Sequence, residues 1–308
     1  MKDKKVRARK KKMPLETKFF IFCGIFFPIA NFILFYIVPN GSAFLMAFHD
    51  KNGQWGFDNF IRFFESLKTQ DSEFQIALRN TAITFFIGLV AFPFKIMVSY
   101  FIYKKIPFAG FYRIIFFLPS IIVGTVVAMV FQYMVSPNGF IAEWVGKMCG
   151  LDYSPELLAD SRFANQTLWI EMLWISFAGD LIVWLGNFTR IPTELLETGR
   201  LDGTNWFTEF TKIVVPLVWP TVALSLTVKF CGILGASTSA FLLTRGDYGT
   251  MTLSTWLTLQ LYNFSGDAYT SNVYNYMSAV GVTMTVISVL IGQIVRKICD
   301  KAFTEVEY

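Results

Sequence analysis

Apolar and polar positions fall into long blocks rather than a short period, and block length decides what each block becomes. Apolar stretches near twenty residues recur at about 19–38, 80–103, 114–135, 167–188, 213–236 and 277–295. At 1.5 Å of rise per residue, about twenty residues cross the ~30 Å hydrocarbon core of a bilayer. Lipid offers no partner for backbone N–H and C=O groups, so each crossing must close its own hydrogen bonds. The pattern therefore predicts an all-α membrane protein, a six-span transmembrane helical bundle. The first stretch is read as a span and not a cleaved signal, because it is long, contains Pro28 and Asn31, and lacks an A-x-A-like exit. Between the spans, Asn40 to Arg79 carries an amphipathic piece, Phe57 to Leu67, expected to lie along the membrane surface. A helical piece around Ala142 to Met148 is expected within Ser136 to Asn165, and Ser237 to Asn275 is expected to be an outer loop.

One polar interruption differs from the others. From Ile191 to Pro220, Pro192 suits the opening of a helix that runs to Leu201 and stops at Asp202-Gly203, where glycine accepts a positive φ. A second amphipathic run, Trp206, Phe207, Phe210 and Ile213, follows Thr204 and Asn205, either of which suits a cap. Two short helices joined by a glycine corner are expected. Leu195, Leu196 and Leu201 form an apolar face beside Glu194 and Glu197, the kind of surface that sits in another protein's groove.

Charge orients the chain. Of 308 residues 54% are hydrophobic, against the 45 to 50% of soluble domains even with glycine included, and the mean hydropathy is +0.48. The net charge of +5 is a topology signal, since nine of the 27 basic residues precede Phe19. With six spans, eighteen Lys and Arg fall on the side of the termini and of the 191–212 stretch. Seven fall on the other side, with Lys95 and Lys229 inside spans. That bias places both termini and the hairpin in the cytoplasm. Residues 1–18 are read as a cytoplasmic basic tail at the anionic leaflet, and 19–308 as the transmembrane domain.

Candidate chemistry is sparse. There is no phosphate-wrapping G-x-x-x-x-G-K-[ST] loop and no converging nucleophile and base. The four cysteines show no paired spacing, and neither a disulfide framework nor a metal site follows. The ionisable residues within spans carry more information, being costly in hydrocarbon unless paired or wetted. Lys95 is expected to snorkel to the inner interface, with pore lining as the alternative. Glu171 and Asp180 on the fourth span and Lys229 on the fifth are either a structural ion-pair set or the edge of a water-filled path. Met172, Ile175, Ser176 and Gly179 share one face of the fourth span; Lys229, Gly232, Ile233 and Ala236 share one face of the fifth. Small residues there serve close packing or leave room for a solute. Trp169, Trp174, Trp184 and Tyr133 offer flat aromatic surfaces, with interfacial belts as the alternative place for the tryptophans.

The run Glu197-Thr198-Gly199-Arg200-Leu201-Asp202-Gly203, followed by Phe210, Ile213 and Pro216, resembles the EAA signature of permease subunits of binding-protein-dependent ABC importers. The leading Ile191-Pro192 and Glu194-Leu195 and the trailing Pro220 resemble its carbohydrate-uptake branch. Departures are Thr198 and Gly199 where two alanines are usual, and Thr204 where a third small residue is usual. The resemblance implies a type I permease fold whose 191–212 segment couples to ATPases. Glu194, Glu197 and Arg200 would make polar contacts, Leu195 and Leu196 apolar ones, and Gly203 the turn, with Gly199, Asp202, Phe210 and Pro216 as motif positions. It implies no cofactor on this chain, with ATP and Mg on two separate ATPase subunits, and a transporter subunit rather than an enzyme. A solute-binding protein outside and a second, homologous permease complete the set. Ser136-Pro137-Asn138-Gly139-Phe140 resembles the first permease of such pairs, hence a heterodimer. The implied cargo is a sugar, or alternatively an anionic solute such as an acidic oligosaccharide or glycerol phosphate. The implied place is the inner membrane of a prokaryote, among lipid and without nucleic acid. An ion-coupled secondary transporter is the second alternative.

Overall fold

The computed structural model describes residues 14–50, 53–68, 72–236, 239–263 and 270–302; most of the basic tail lies outside them. The first crossing is α1 (Leu15–Phe32), a π-turn at Ile33–Ile37, and α2 (Val38–Ala47). It runs on past residue 38, where the polar residues were expected to end it. Pro39 removes one ladder donor where the π-turn relaxes into α2, and the Asn40 amide donates to Tyr36 O at 2.7 Å. None of its most apolar stretch is buried against the rest of the chain; α2 alone packs on the last helix.

The surface helix α3 (Asp58–Lys68) turns Asn59 and Phe63 inward and Ile61 and Phe64 outward. The Asn59 amide donates to His49 O at 2.8 Å, pinning it to the end of the first crossing. The second crossing, α4 (Ser72–Tyr103), has 32 residues, about 48 Å of helix, and starts before residue 80.

The third apolar run does not cross as one rod. Helices α5 (Ala109–Ile121) and α6 (Gly124–Val135) meet at 112°. Pro119 removes a donor just upstream, and β-branched Ile121, Ile122 and Val123 precede Gly124, so four poor helix formers stand together. Ile122 is accordingly extended, at φ −86° and ψ 143°. Outside, α7 (Phe140–Met148) buries Ala142 and exposes Phe140 and Trp144.

The fourth crossing is α8 (Ala164–Phe188), and α9 (Thr193–Leu201) follows. Then α10 (Trp206–Glu209) passes through a π-turn at Phe210–Val214 into α11 (Val215–Cys231), the fifth crossing. The amphipathic run from Trp206 is thus the foot of that span, not a separate helix beside it. Pro216 has no N–H to donate in the first turn of α11, which is where the ladder slips. The span also stops early. Gly232 caps α11, and Ile233–Gly235 form a 3-10 turn, so Gly232, Ile233 and Ala236 have left the helix that carries Lys229. Short α12 (Ala240–Leu243) and α13 (Leu253–Asn263) build the outer segment, and α14 (Thr270–Ala302) makes the last crossing.

Two apolar clusters hold the bundle. The inner one joins Phe92, Ile96 and Tyr100 of α4, Trp184 and Phe188 of α8, Leu196 of α9, and Val214, Val218 and Val222 at the foot and body of α11. The outer one joins Phe63, Phe74, Leu253, Trp256, Met277 and Val280. Lipid tails are as apolar as these side chains, so contact and shape rather than transfer from water set their strength. At the end of the bundle away from the hairpin, the Asn80 amide donates to Gly249 O at 2.7 Å and Met251 O at 2.9 Å, and the Asn165 amide donates to Gly249 O at 3.0 Å. Those bonds tie the outer turn to the tops of α4 and α8. Between the two clusters lies a polar layer.

Candidate functional site

The hairpin after α8 is closed by its own backbone. Gly203 takes φ +75°, its N–H bonds Arg200 O at 3.1 Å, and Thr204 N–H bonds Gly199 O at 3.1 Å. This pair of bonds is a Schellman stop, in which the left-handed residue costs an L side chain about 1 to 2 kcal/mol. Asn205, not Thr204, caps the next helix, its Oδ1 accepting from Thr208 N at 2.8 Å. The Thr204 hydroxyl instead donates to Gly199 O at 2.7 Å.

Gly199 faces the foot of α11. A Cβ there would stand 2.7 Å from Ile213 Cδ1 and 3.3 Å from Thr204 Oγ1, so even alanine would push the isoleucine tip aside. Leu196 shares this inward face and is buried in the inner cluster. The expectation that Leu196 joins the outward surface is therefore corrected, because successive helix residues point about 100° apart. The outward surface consists of Glu194, Leu195, Glu197, Arg200 and Leu201, the last 88% exposed. Phe210 packs its ring 5.3 Å from that of Tyr100, and Pro216 sits half-buried below.

A second tie joins the hairpin to α4. Glu209 is 2% exposed; its Oε1 accepts from Tyr100 Oη at 2.5 Å and its Oε2 from Lys104 Nζ at 2.6 Å. Charge-assisted bonds of this kind are about twice as strong as neutral ones. Sequence reasoning missed Glu209. The available signal was its position three after Trp206 and four before Ile213, on the inward stripe of an otherwise apolar run.

The polar layer is centred on Asp180. Lys95 Nζ donates to Ser176 Oγ at 2.6 Å and to Asp180 Oδ2 at 3.1 Å, and Lys229 Nζ stands 3.6 Å from the same oxygen. Lys95 is 2% exposed, so it does not snorkel. A carboxylate and a hydroxyl one turn apart on α8 offer it two acceptors closer than the interface. Beside the cluster lies a cavity of about 190 Å³, walled by Thr84, Phe85, Gly88, Leu89 and Lys95 of α4, Met172 and Ser176 of α8, Lys229, Gly232 and Ala236.

Of the expected path residues, Met172, Ser176, Lys229, Gly232 and Ala236 meet at this cavity, with Asp180 bonded behind it. Ile175, Gly179 and Ile233 are not on its walls. Glu171 is buried; Ser239 Oγ donates to its Oε1 at 2.6 Å, and Oε2 has no partner among the described residues. Trp184 lies inside the foot cluster and offers no open face, whereas Trp169 donates to Thr84 Oγ1 at 3.2 Å, next to the cavity wall. Of the ion-pair set expected from the sequence, Asp180 and Lys229 do meet while Glu171 bonds Ser239 instead; nothing local in the sequence signalled that Lys95 would join them from α4.

The hairpin and the charged layer share α4. Lys95 is five residues, about 7 Å, from Tyr100 along α4, and Lys104 follows directly on the end of that helix. The hairpin is thus tied to the cavity walls through α4 as well as through α8 and α11.

Comparison with known proteins agrees with this geometry. The diacetylchitobiose uptake system permease protein NgcF of Streptomyces coelicolor is 26% identical over 316 residues, covering 94% of this chain and 84% of that one. A probable ABC transporter permease, YesP of Bacillus subtilis, is 27% identical, covering 87% and 86%. The multiple sugar-binding transport system permease protein MsmF of Streptococcus mutans is 26% identical over 198 residues, covering 64% and 66%. In fold, the chain is similar to a chain of a bacterial ABC transporter involved in the import of the acidic polysaccharide alginate, with a TM-score of 0.75 at 23% identity, over 93% of this chain and 97% of that one. The family of binding-protein-dependent transport system inner membrane components matches residues 103–305. Joined over most of its length to that family, and built of apolar helices long enough to cross a bilayer, the chain belongs to it as a multi-pass inner-membrane transporter subunit.

Proposed function

We propose that the chain is the permease subunit of an ATP-driven importer of sugars or oligosaccharides, coupled through the 191–212 hairpin to ATPase subunits that hold the nucleotide and Mg. The sugar names of NgcF and MsmF support the cargo class. The observation that carries the coupling is the two-sided α9. Its inner face, Leu196 and Gly199, is packed on the bundle, while Leu195, Glu194, Glu197, Arg200 and Leu201 are exposed. An exposed helix with an apolar centre and charged rim fits a groove on another protein.

In this mechanism the ATPases move the groove and the hairpin follows as a rigid corner, set by the Gly203 stop and the Gly199–Ile213 contact. The foot of α11 and, through Glu209, the end of α4 rotate with it. The Lys95–Asp180–Lys229 layer sits where α4, α8 and α11 shear against one another, so its ion pairs re-form as the path changes side. A solute-binding protein delivers sugar from outside. A second, homologous permease faces the cavity and covers the first crossing, whose unburied length supports such a neighbour. The Lys and Arg bias places both termini and the hairpin in the cytoplasm.

The test is purification of the membrane complex with identification of its chains, then sugar-stimulated ATP hydrolysis in proteoliposomes. ATPase subunits crosslinking to a photoreactive group at Leu201 is the expected result. A complex without ATPase subunits that still transports sugar down an ion gradient would make it a secondary transporter.

A further inference from the structure

The cavity between α4, α8 and α11 is lined by two lysines and by no carboxylate, although Asp180 lies close to both lysines. Lys95, Lys229 and Ser176 are wall residues; Asp180 is not, although its Oδ2 lies 3.1 Å from Lys95 Nζ and 3.6 Å from Lys229 Nζ. One carboxylate balances one lysine, which leaves a surplus positive charge facing the space. The other carboxyl of α8, Glu171, accepts from Ser239 and is not a wall residue either.

The two lysines are not equally occupied. Lys95 donates to both Ser176 and Asp180, and the Ser176 hydroxyl donates its own hydrogen to Leu173 O at 3.0 Å. Lys229 has three donors, and 3.6 Å to Asp180 is too long for a hydrogen bond; it forms none among the described residues. Its Nζ lies 5.2 Å from the Phe92 ring centroid, a cation–π contact. The ring supplies no formal negative charge to neutralise that ammonium.

We infer that this cavity receives an anionic group carried by the transported sugar, a uronate carboxylate or a sugar phosphate, held by Lys229 and backed by Lys95. The inference rests on the importer reading above and narrows its cargo. With the anion seated, two cations face two anions, the neutral arrangement that a membrane interior favours. At about 190 Å³ the space is below the 300 to 1,000 Å³ of usual ligand sites, so it seats one charged ring of a longer chain.

The experiment is equilibrium binding to the purified complex without its binding protein. The probes are galacturonate, glucuronate and mannuronate disaccharides, their carboxyl-reduced neutral counterparts, and glucose 6-phosphate against glucose. At least a ten-fold preference for an anionic probe is expected, with the uronate and phosphate arms separating the two sources. In Lys229→Gln, where Lys95 and Asp180 remain a balanced pair, the preference should fall to within two-fold of unity, and Lys229→Arg should restore it. Neutral probes binding as tightly as anionic ones, no anionic probe binding, or a preference that survives Lys229→Gln each overturns the inference. ATP-driven uptake of a neutral sugar alone would do so while leaving the importer standing; absence of ATPase subunits would instead remove the importer reading itself.

Discussion

At the scale of single residues, Glu209 carries more mechanical consequence than any position singled out in the motif. It is a buried carboxylate with two side-chain donors, Tyr100 on α4 and Lys104 in the turn just past it. Removing one partner of such a set leaves the others unsatisfied, at about 1 to 3 kcal/mol for a neutral group and more for a charged one. Tyr100→Phe is therefore expected to lower the melting temperature of the complex by a few degrees. Glu209→Gln, which keeps the shape but not the charge, is expected to raise the ATP hydrolysed per sugar imported several-fold. An unchanged ratio in proteoliposomes would confine Glu209 to stability. Asp180→Asn is the harsher change, since it leaves Lys95 and Lys229 facing each other without a carboxylate. Loss of assembled complex, read by size-exclusion chromatography of the purified membranes, is expected there, and Asp180→Asn with Lys95→Met should recover it.

At the scale of elements, the Gly199–Ile213 contact and the Gly203 stop define a rigid corner. Gly203→Val demands a β-branched residue at φ +75°, and Gly199→Val drives two methyl groups into Ile213. Both should leave membrane insertion intact and cut sugar uptake at least ten-fold while ATP hydrolysis persists. Gly199→Val with Ile213→Ala makes room for the valine and should regain most of the uptake, which a steric cause requires and a loss of partner contact does not allow. Much of this corner was legible beforehand, because its signals are local: Pro192, Asp202-Gly203 and an amphipathic run lie within a few residues of one another. The misjudged elements depend on other terms. Trp206 to Ile213 has the period of a free amphipathic helix, yet an unbroken helix into α11 satisfies more backbone groups than a stop at the interface. Residues 114–135 have the length of one span, but length says nothing about the extended pair Ile122-Val123. Leu195 and Leu196 are equally apolar, and only the position of α11 decides which of them turns inward. Lys95 needed a contact 85 residues away, to Asp180, to be read correctly.

At the scale of the whole molecule, the bundle is firm at both ends and polar in the middle, which is what alternating access asks of it. The inner cluster binds the hairpin to three crossings, and the outer one locks the surface helix α3 to α4, α13 and α14. Between them lies the layer in which Asp180 meets Lys95 and Lys229. Such a path leads one way only if the hairpin and the outer cap lie on opposite sides of the membrane. Cys149 is exposed just after α7, and Leu201→Cys would place a thiol on the outward face of α9. A membrane-impermeant maleimide applied to intact cells should modify Cys149 and leave the introduced thiol untouched; inverted vesicles should give the reverse. Labelling of both thiols from the same side would put hairpin and cap in one compartment. A nucleotide-driven push on α9 would then no longer act across the bilayer, and the lever would have nothing to turn.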